Sequence, residues 1–362
     1  MTVGFFAPRP PAKTGVADYA EALLQALREH GDVKVDAHKS DVALYHIGNN
    51  QLHGAIYDRA LEHPGVVVLH DAVLQHFFLG RLTAQQYAEE FTFNYGEWTR
   101  SQAEDLWKHR ARSAADPRYF AWPMLKRIAT TARAVVVHNP AAIAIVRQHA
   151  PHANVIEIPH LFVQPATPSM IDTLRFRNEL GLGPRTLLAG LFGHQRESKR
   201  LPVVLRALER VRNNDVRLLI AGSFASPDLE RSLAGQLEGP RILRAGYLSE
   251  SDFWRYAAAV DLCINLRYPT AAETSGIAIR MMGIGKPLVF SQGDEIARIP
   301  ENACLRVETG PAEEELLAGY IAWLARDRDA AEEIGRRAAT HIARHHAIET
   351  VAARYWEVLK KA

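Results

Sequence analysis

Short apolar runs alternating with helically spaced stretches constrain this chain more than any other feature. Ten runs read as buried strands. In the first half they are TVGFFAP (2–8), VALYHIG (42–48), GVVVLHD (65–71), AVVVHNP (134–140) and NVIEIPH (154–160). In the second half they are TLLAGLFG (186–193), VRLLIAGS (216–223), RILRAGY (241–247), VDLCINLR (260–267) and KPLVFS (286–291). Between them, stretches such as 15–30 place Ala20, Leu23, Leu24 and Leu27 at helical spacing, and 201–211 does the same. Strands alternating with helices imply an α/β fold with parallel sheets. In open sheets of this kind ligands gather beyond the carboxyl ends of the strands. That rule marks His46, Asn49, Asn50, His70, Asp71, His138 and Asn139 as rim residues.

The alternation breaks twice. Residues 80–130 are helical in pattern and rich in aromatics, including Phe91, Phe93, Trp98, Trp107 and Trp122, and read as a helical insertion. Residues 160–172 carry two prolines and no clear period, which places a boundary there. The organisation expected is a first unit over 1–165, a second over 172–345, and a terminal helix over 346–362 returning to the first. The two Rossmann-like units face each other across a cleft. With 362 residues the chain is long enough for two cores of that size, and 48% hydrophobic residues can fill them.

A net charge of +2 argues against nucleic acid as partner. Two cysteines, Cys263 and Cys304, exclude a disulfide framework and suggest a reducing, cytoplasmic setting. The opening MTVGFFAPRPP lacks the regions of a signal peptide, and no apolar stretch nears the ~20 residues of a membrane span. Peripheral contact at a membrane face stays open.

Three segments carry anion-binding chemistry. In PRPPAKTGVADYA (8–20) a strand runs through Thr14-Gly15 into a helix, whose free amides attract an anion; Lys13 adds charge, and an ordinary capped helix is the plainer reading. In FGHQRESKRLP (192–202) Arg196, Lys199 and Arg200 follow the strand-ending Gly193, a set suited to a diphosphate or to a solvated basic loop. In YPTAAETSGIAIRMMGIGKPLVF (268–290) Thr274, Ser275 and Gly276 present amides at a helix start. Glu273 there accepts hydroxyls if ionised. Arg280, set among Ile279, Met281 and Met282, needs an anion if buried, which Glu273 or a phosphate would supply. His341, His345 and His346, and Asp327 with Asp329, read as solvated surface rather than metal sites. No GxSxG elbow, CxxC pair or Walker loop occurs.

In order, PPxxTGxADY, HIGNN, His70-Asp71, VHN, the Phe192–Arg200 loop, AGY (245–247) and ETSG…GKPLVFS (273–291) make the chain similar to a known family. It resembles the retaining, nucleotide-sugar-dependent glycosyltransferases of the two-domain GT-B fold, the glycosyl transferase group 1 family, over most of its length. The resemblance implies a nucleoside-diphosphate sugar as substrate, a saccharide or glycolipid acceptor, and neither cofactor nor metal. It implies that Gly15 lets the first-unit loop approach the diphosphate, that His70 meets the transferred sugar, and that Lys199, with Arg196 or Arg200, binds the diphosphate. Thr274, Ser275 and Gly276 would join them. Where many members carry Arg after the loop glycine, this chain has His194. Glu273 matches the first Glu of the family's Glu-x7-Glu motif. The second is missing, and Arg280 stands near its place, one residue short. Tyr247, Leu248 and Arg280 are the candidates for the nucleoside; Glu273, His70 and Lys199 are those for catalysis. A sugar-nucleotide epimerase on the same fold, or a sugar-nucleotide-binding protein without activity, are the competing readings.

Overall fold

A computed structural model of the chain describes every residue except Lys13, Asn213 and Asn214, so the charge assigned to Lys13 lies outside the described residues. Two six-stranded, wholly parallel sheets form the frame. The first holds β1 (Thr2–Phe6), β2 (Asp32–Val35), β3 (Val42–Ile47), β4 (Val66–Leu69), β5 (Ala134–Val137) and β6 (Val155–Glu157), in the order β2-β1-β3-β4-β5-β6. The second holds β7 (Leu187–Phe192), β8 (Val216–Ala221), β9 (Ile242–Ala245), β10 (Leu262–Asn265), β11 (Leu288–Ser291) and β12 (Leu305–Val307), in the order β12-β11-β10-β7-β8-β9.

The central strands explain why the apolar runs were continuous. Val66–Leu69 and Ala134–Val137 are buried at every position, because helices cover both faces of the sheet. The expected α/β architecture of two facing Rossmann-like units is the one observed. Two strands lay outside the sequence reading, β2 and β12. Both are short sheet edges with only part of their length buried, DVKV and LRV, so neither carries a strong apolar run.

Between β4 and β5, helices Ala84–Tyr95 and Arg100–Lys108 build the insertion. Tyr87, Phe91 and Tyr119 are fully buried there, while Phe93 and Trp98 stand out into solvent. The last helix, Ile348–Lys361, lies against the first unit. Its Val351, Tyr355 and Leu359 share a core with Val3, Leu23 and Leu44, and Tyr355 Oη is 2.9 Å from Tyr19 Oη.

Candidate active site

The site forms where the carboxyl ends of the two sheets meet. One segment ties them together. Chain leaving β10 turns through a cis Tyr268–Pro269 bond and a left-handed Ala272 (φ 53°) before entering the helix Gly276–Gly283. On the way it touches the first unit: the Ala72 amide donates to Ala271 O (2.8 Å), and Asn139 Nδ2 donates to Ala272 O (2.8 Å) and Thr274 Oγ1 (3.0 Å). Asn139 can do this because it caps the helix Pro140–His149, with Oδ1 accepting from the Ala142 amide.

Glu273 sits in this crossing. Its Oε2 accepts from the Ala271 amide (2.9 Å) and from Thr270 Oγ1 (3.2 Å), and Oε1 lies 3.2 Å from Arg267 Nε. That last contact is an ion pair without the alignment of a hydrogen bond, so Arg267 Nε keeps an unused donor. Glu273, named with a phosphate as an anion for Arg280, does not meet it. The helix begins only at Gly276, which leaves Glu273 outside it. Arg280 instead pairs with Glu250 (2.5 Å) and stacks over Phe253 (3.9 Å) and Trp254 (4.4 Å).

Below the crossing, Gly193 ends β7 in a left-handed conformation (φ 81°), where a Cβ would stand 3.0 Å from Lys199 Nζ and 3.9 Å from Ile277. The loop is pinned from the far side by Gly222, whose own Cβ would collide with Gly193 O at 2.3 Å. Lys199 is thereby buried at the start of the second unit's cleft, donating to Phe192 O. Burial pushes its ammonium well below the usual lysine range, and the charges of Arg267 and Arg196 push the same way. Lys199, Arg196 and Arg267 thus share one field, and Lys199 lies across Gly193 from the first turn of Gly276–Gly283, whose leading amides have no backbone partner within the helix. Arg200 is not one of them. It adopts φ 60° and gives its guanidinium to the buried Glu313, so its expected place on a diphosphate is corrected to a structural ion pair.

From the first unit, Asp71 faces this cluster. Its Oδ2 accepts from the Asn49 amide (2.7 Å), and Asn49 in turn holds His76 and the Phe77 amide. Burial raises the Asp71 carboxyl to about 6, the Glu273 charge adds to the rise, and the Asn49 amide, Arg196 and Arg267 oppose it. A folded-state value above the ordinary 3.8 means that the stability Asp71 lends is full below about pH 4 and is lost as pH rises through 6. Asp71→Asn should therefore raise the unfolding free energy by roughly 1–2 kcal/mol at pH 8 and change it little at pH 4, read by denaturant titration at both values.

Asn50 caps the turn Gln51–His53, its side chain accepting from the Leu52 amide. His46 and His138 lie behind His70, buried. Gly15 opens the helix Gly15–Arg28, and a Cβ there would meet nothing within 4 Å, so the fold itself makes no demand for glycine. The same helix brings Asp18 into the field of Arg280 and Glu250, and packs Tyr19 against His160 with ring centroids 4.7 Å apart. His160 Nε2 would lie 3.3 Å from a Cβ on Gly276. Through Tyr19 and His160 the helix Gly15–Arg28 is thus carried toward the start of the helix Gly276–Gly283. Tyr247 and Leu248 follow β9, Tyr247 exposed and Leu248 packed on the second sheet's core. Arg267, His76 and His160 were missed from sequence. Two of them close apolar runs, 260–267 and 154–160, and the strand-end rule that marked His70 would have marked them too.

Two parallel six-stranded sheets of this order, flanked by helices, define the GT-B fold. Solved structures agree over the full chain. HepE of Anabaena, in complex with UDP and glucose, superposes with a TM-score of 0.73 at 15% identity, covering all of both chains. Sucrose-phosphate synthase of Thermosynechococcus elongatus gives 0.69 at 16%, covering 100% of this chain and 98% of the other. WaaG, a glycosyltransferase involved in lipopolysaccharide biosynthesis, gives 0.62 at 14%, covering 99% and 100%. No family model matches the sequence, and no curated protein matches it.

Proposed function

We propose that the protein is a glycosyltransferase that moves a hexose from a nucleoside-diphosphate donor to an acceptor hydroxyl with retained anomeric configuration. The observation carrying this reading is that Lys199, across Gly193 from Ile277 in the first turn of helix Gly276–Gly283, shares the field of Arg196 and Arg267. Breaking a glycosyl–phosphate bond builds negative charge on the departing diphosphate. Fixed cations and helix amides stabilise that charge where it grows, each worth about 2.7–4 kcal/mol. The leaving phosphate oxygen takes the acceptor's proton, so no protein nucleophile is required. His70 and Glu273 border the sugar, Thr274, Ser275 and Gly276 the diphosphate, and Tyr247 and Leu248 the base. HepE holds UDP-glucose in one structure, which makes UDP-sugars the first donors to test.

The acceptor is a saccharide or glycolipid of surface-polysaccharide assembly, met on the cytoplasmic side. Among the described residues no helix is long and apolar enough to cross a membrane. Phe93 and Trp98 on the insertion offer a surface for peripheral contact.

Incubation of the protein with UDP-glucose and an acceptor panel, followed by proton NMR of the anomeric signal, tests the reading. An α-linked product from the α-donor supports it; a β-linked product or epimerised donor overturns it. Because cations take the electrophilic role, turnover should be unchanged, within about twofold, after exhaustive treatment with EDTA. A loss restored by Mg²⁺ would contradict that assignment.

A further inference from the structure

Around Tyr19 the first unit buries a set of imidazoles whose proton positions the geometry fixes. His53 Nδ1 lies 2.8 Å from His46 O, His138 Nδ1 2.9 Å from Ile158 O, and His160 Nδ1 2.8 Å from Leu161 O. A carbonyl has no proton to give, so each of these rings carries its own on Nδ1 and leaves Nε2 as a lone pair. His46 differs from them. Its Nδ1 meets another imidazole nitrogen, His70 Nε2, at 3.0 Å, and its Nε2 is buried with no partner.

Two arrangements satisfy that contact. If His70 donated, His46 would have to carry its proton on Nε2, stranding an N–H donor in the core. If His46 donates from Nδ1, only a lone pair is stranded. Orphaned buried donors are the rarer and costlier case. The second arrangement leaves His70, which is only half-buried, with its proton on Nδ1, the nitrogen that has no protein partner.

We propose that His46 is a positioning residue that locks His70 as a neutral ring with Nδ1–H turned to the cleft, making His70 a hydrogen-bond donor to an oxygen of the bound sugar and unable to act as a base. The sugar as recipient rests on the glycosyltransferase reading; the proton placement does not. The surroundings favour a neutral ring. The titratable groups acting on His70 are His138 on β5, His46 on β3, His53 in the following turn and His160 after β6, none of them a carboxylate, and Tyr19 packs edge-on at 5.0 Å. Burial drives His70 well below the ordinary histidine range, and holds His46 near 3 and His138 near 4.

Long-range proton–nitrogen NMR on ¹⁵N-histidine-labelled protein decides the placement without any ligand. A protonated Nδ1 and bare Nε2 on His70, unchanged from pH 5.5 to 8, is expected; an Nε2–H tautomer or a charged ring overturns the proposal. The functional arm uses UDP-glucose turnover, with UDP affinity by calorimetry as control. His46→Asn can still present an N–H at the Nδ1 position and should keep kcat/KM within about threefold. His46→Leu, with no donor, should lose 10- to 100-fold with UDP affinity unchanged, because the diphosphate groups sit on the other unit. Equal losses in both variants would reduce His46 to packing. Should wild type neither bind UDP nor turn over UDP-glucose, the functional reading fails while the NMR result still decides the relay.

Discussion

Lys199→Met should give a protein that is more stable than wild type and nearly inactive. Lys199 is buried beside Arg196 and Arg267, and its ammonium is held well below its ordinary 10.5. Between the folded and unfolded values the unfolded chain holds more protons. Stability therefore rises with pH through that window, and the lysine's full cost falls below it. Methionine fills similar space without that cost, so the variant should gain on the order of 1–3 kcal/mol at neutral pH, with the gain shrinking toward pH 10. Catalysis should move the other way. Loss of one preorganised charge donor to a leaving diphosphate lowers kcat by about 10²–10³. Binding supplies a further check. A diphosphate placed against Lys199 favours its charged form, so over the pH range in which Lys199 titrates UDP binding should take up more protons in wild type than in the variant. Calorimetry in two buffers of different ionisation enthalpy measures this, and equal uptake in both proteins would remove Lys199 from the site.

The second large effect is expected at Glu273. Alanine there leaves Arg267 facing Arg196 and Lys199 with its nearest counter-charge removed, and frees the Ala271 amide. Breaking a buried pair costs about 3–5 kcal/mol. The partners here are each about a quarter exposed (23% and 24%), which reduces the expected loss to about 2–3 kcal/mol. The crossing segment then loses its register, and misplacement of about 1 Å at a reacting centre costs about 10²-fold in rate. Glu273→Gln keeps an acceptor for Ala271 and should fall between wild type and alanine in both measures. Both changes remove a negative charge facing Asp71, so its carboxyl should fall below about 6, with burial still holding it above 3.8. Carboxyl-carbon NMR of Asp71 reads that directly; an unmoved titration would mean the two acids do not share a field.

Much of this was legible in the chain because parallel sheets bury both faces of their central strands and so write themselves as apolar runs. All ten expected runs became strands, and the rim residues His70, Asp71 and Asn139 lie at the meeting of the two sheets. Strands β2 and β12 escaped because DVKV and LRV break their short apolar pattern with charged residues, while the other two edges, β6 and β9, lie in the longer runs 154–160 and 241–247. Partnerships across long separations escaped as well. Nothing local in 192–202 reveals that Arg200 answers to Glu313, more than a hundred positions on, or that Arg280 answers to Glu250 from an earlier helix. Spacing says which side chains one helix can bring together. It is silent on which distant carboxylate reaches a given guanidinium first.

The crossing from β10 to the helix at Gly276 also governs movement. It joins the two units through Ala72–Ala271 and Asn139–Ala272, and an ion pair between Arg298 and Glu157 at 2.9 Å joins them again. Ties spaced along the seam oppose sliding of one unit over the other and leave a swing about the seam as the softer motion. Such a swing would part Arg196 from His76 while the Asn139 contacts kept their spacing.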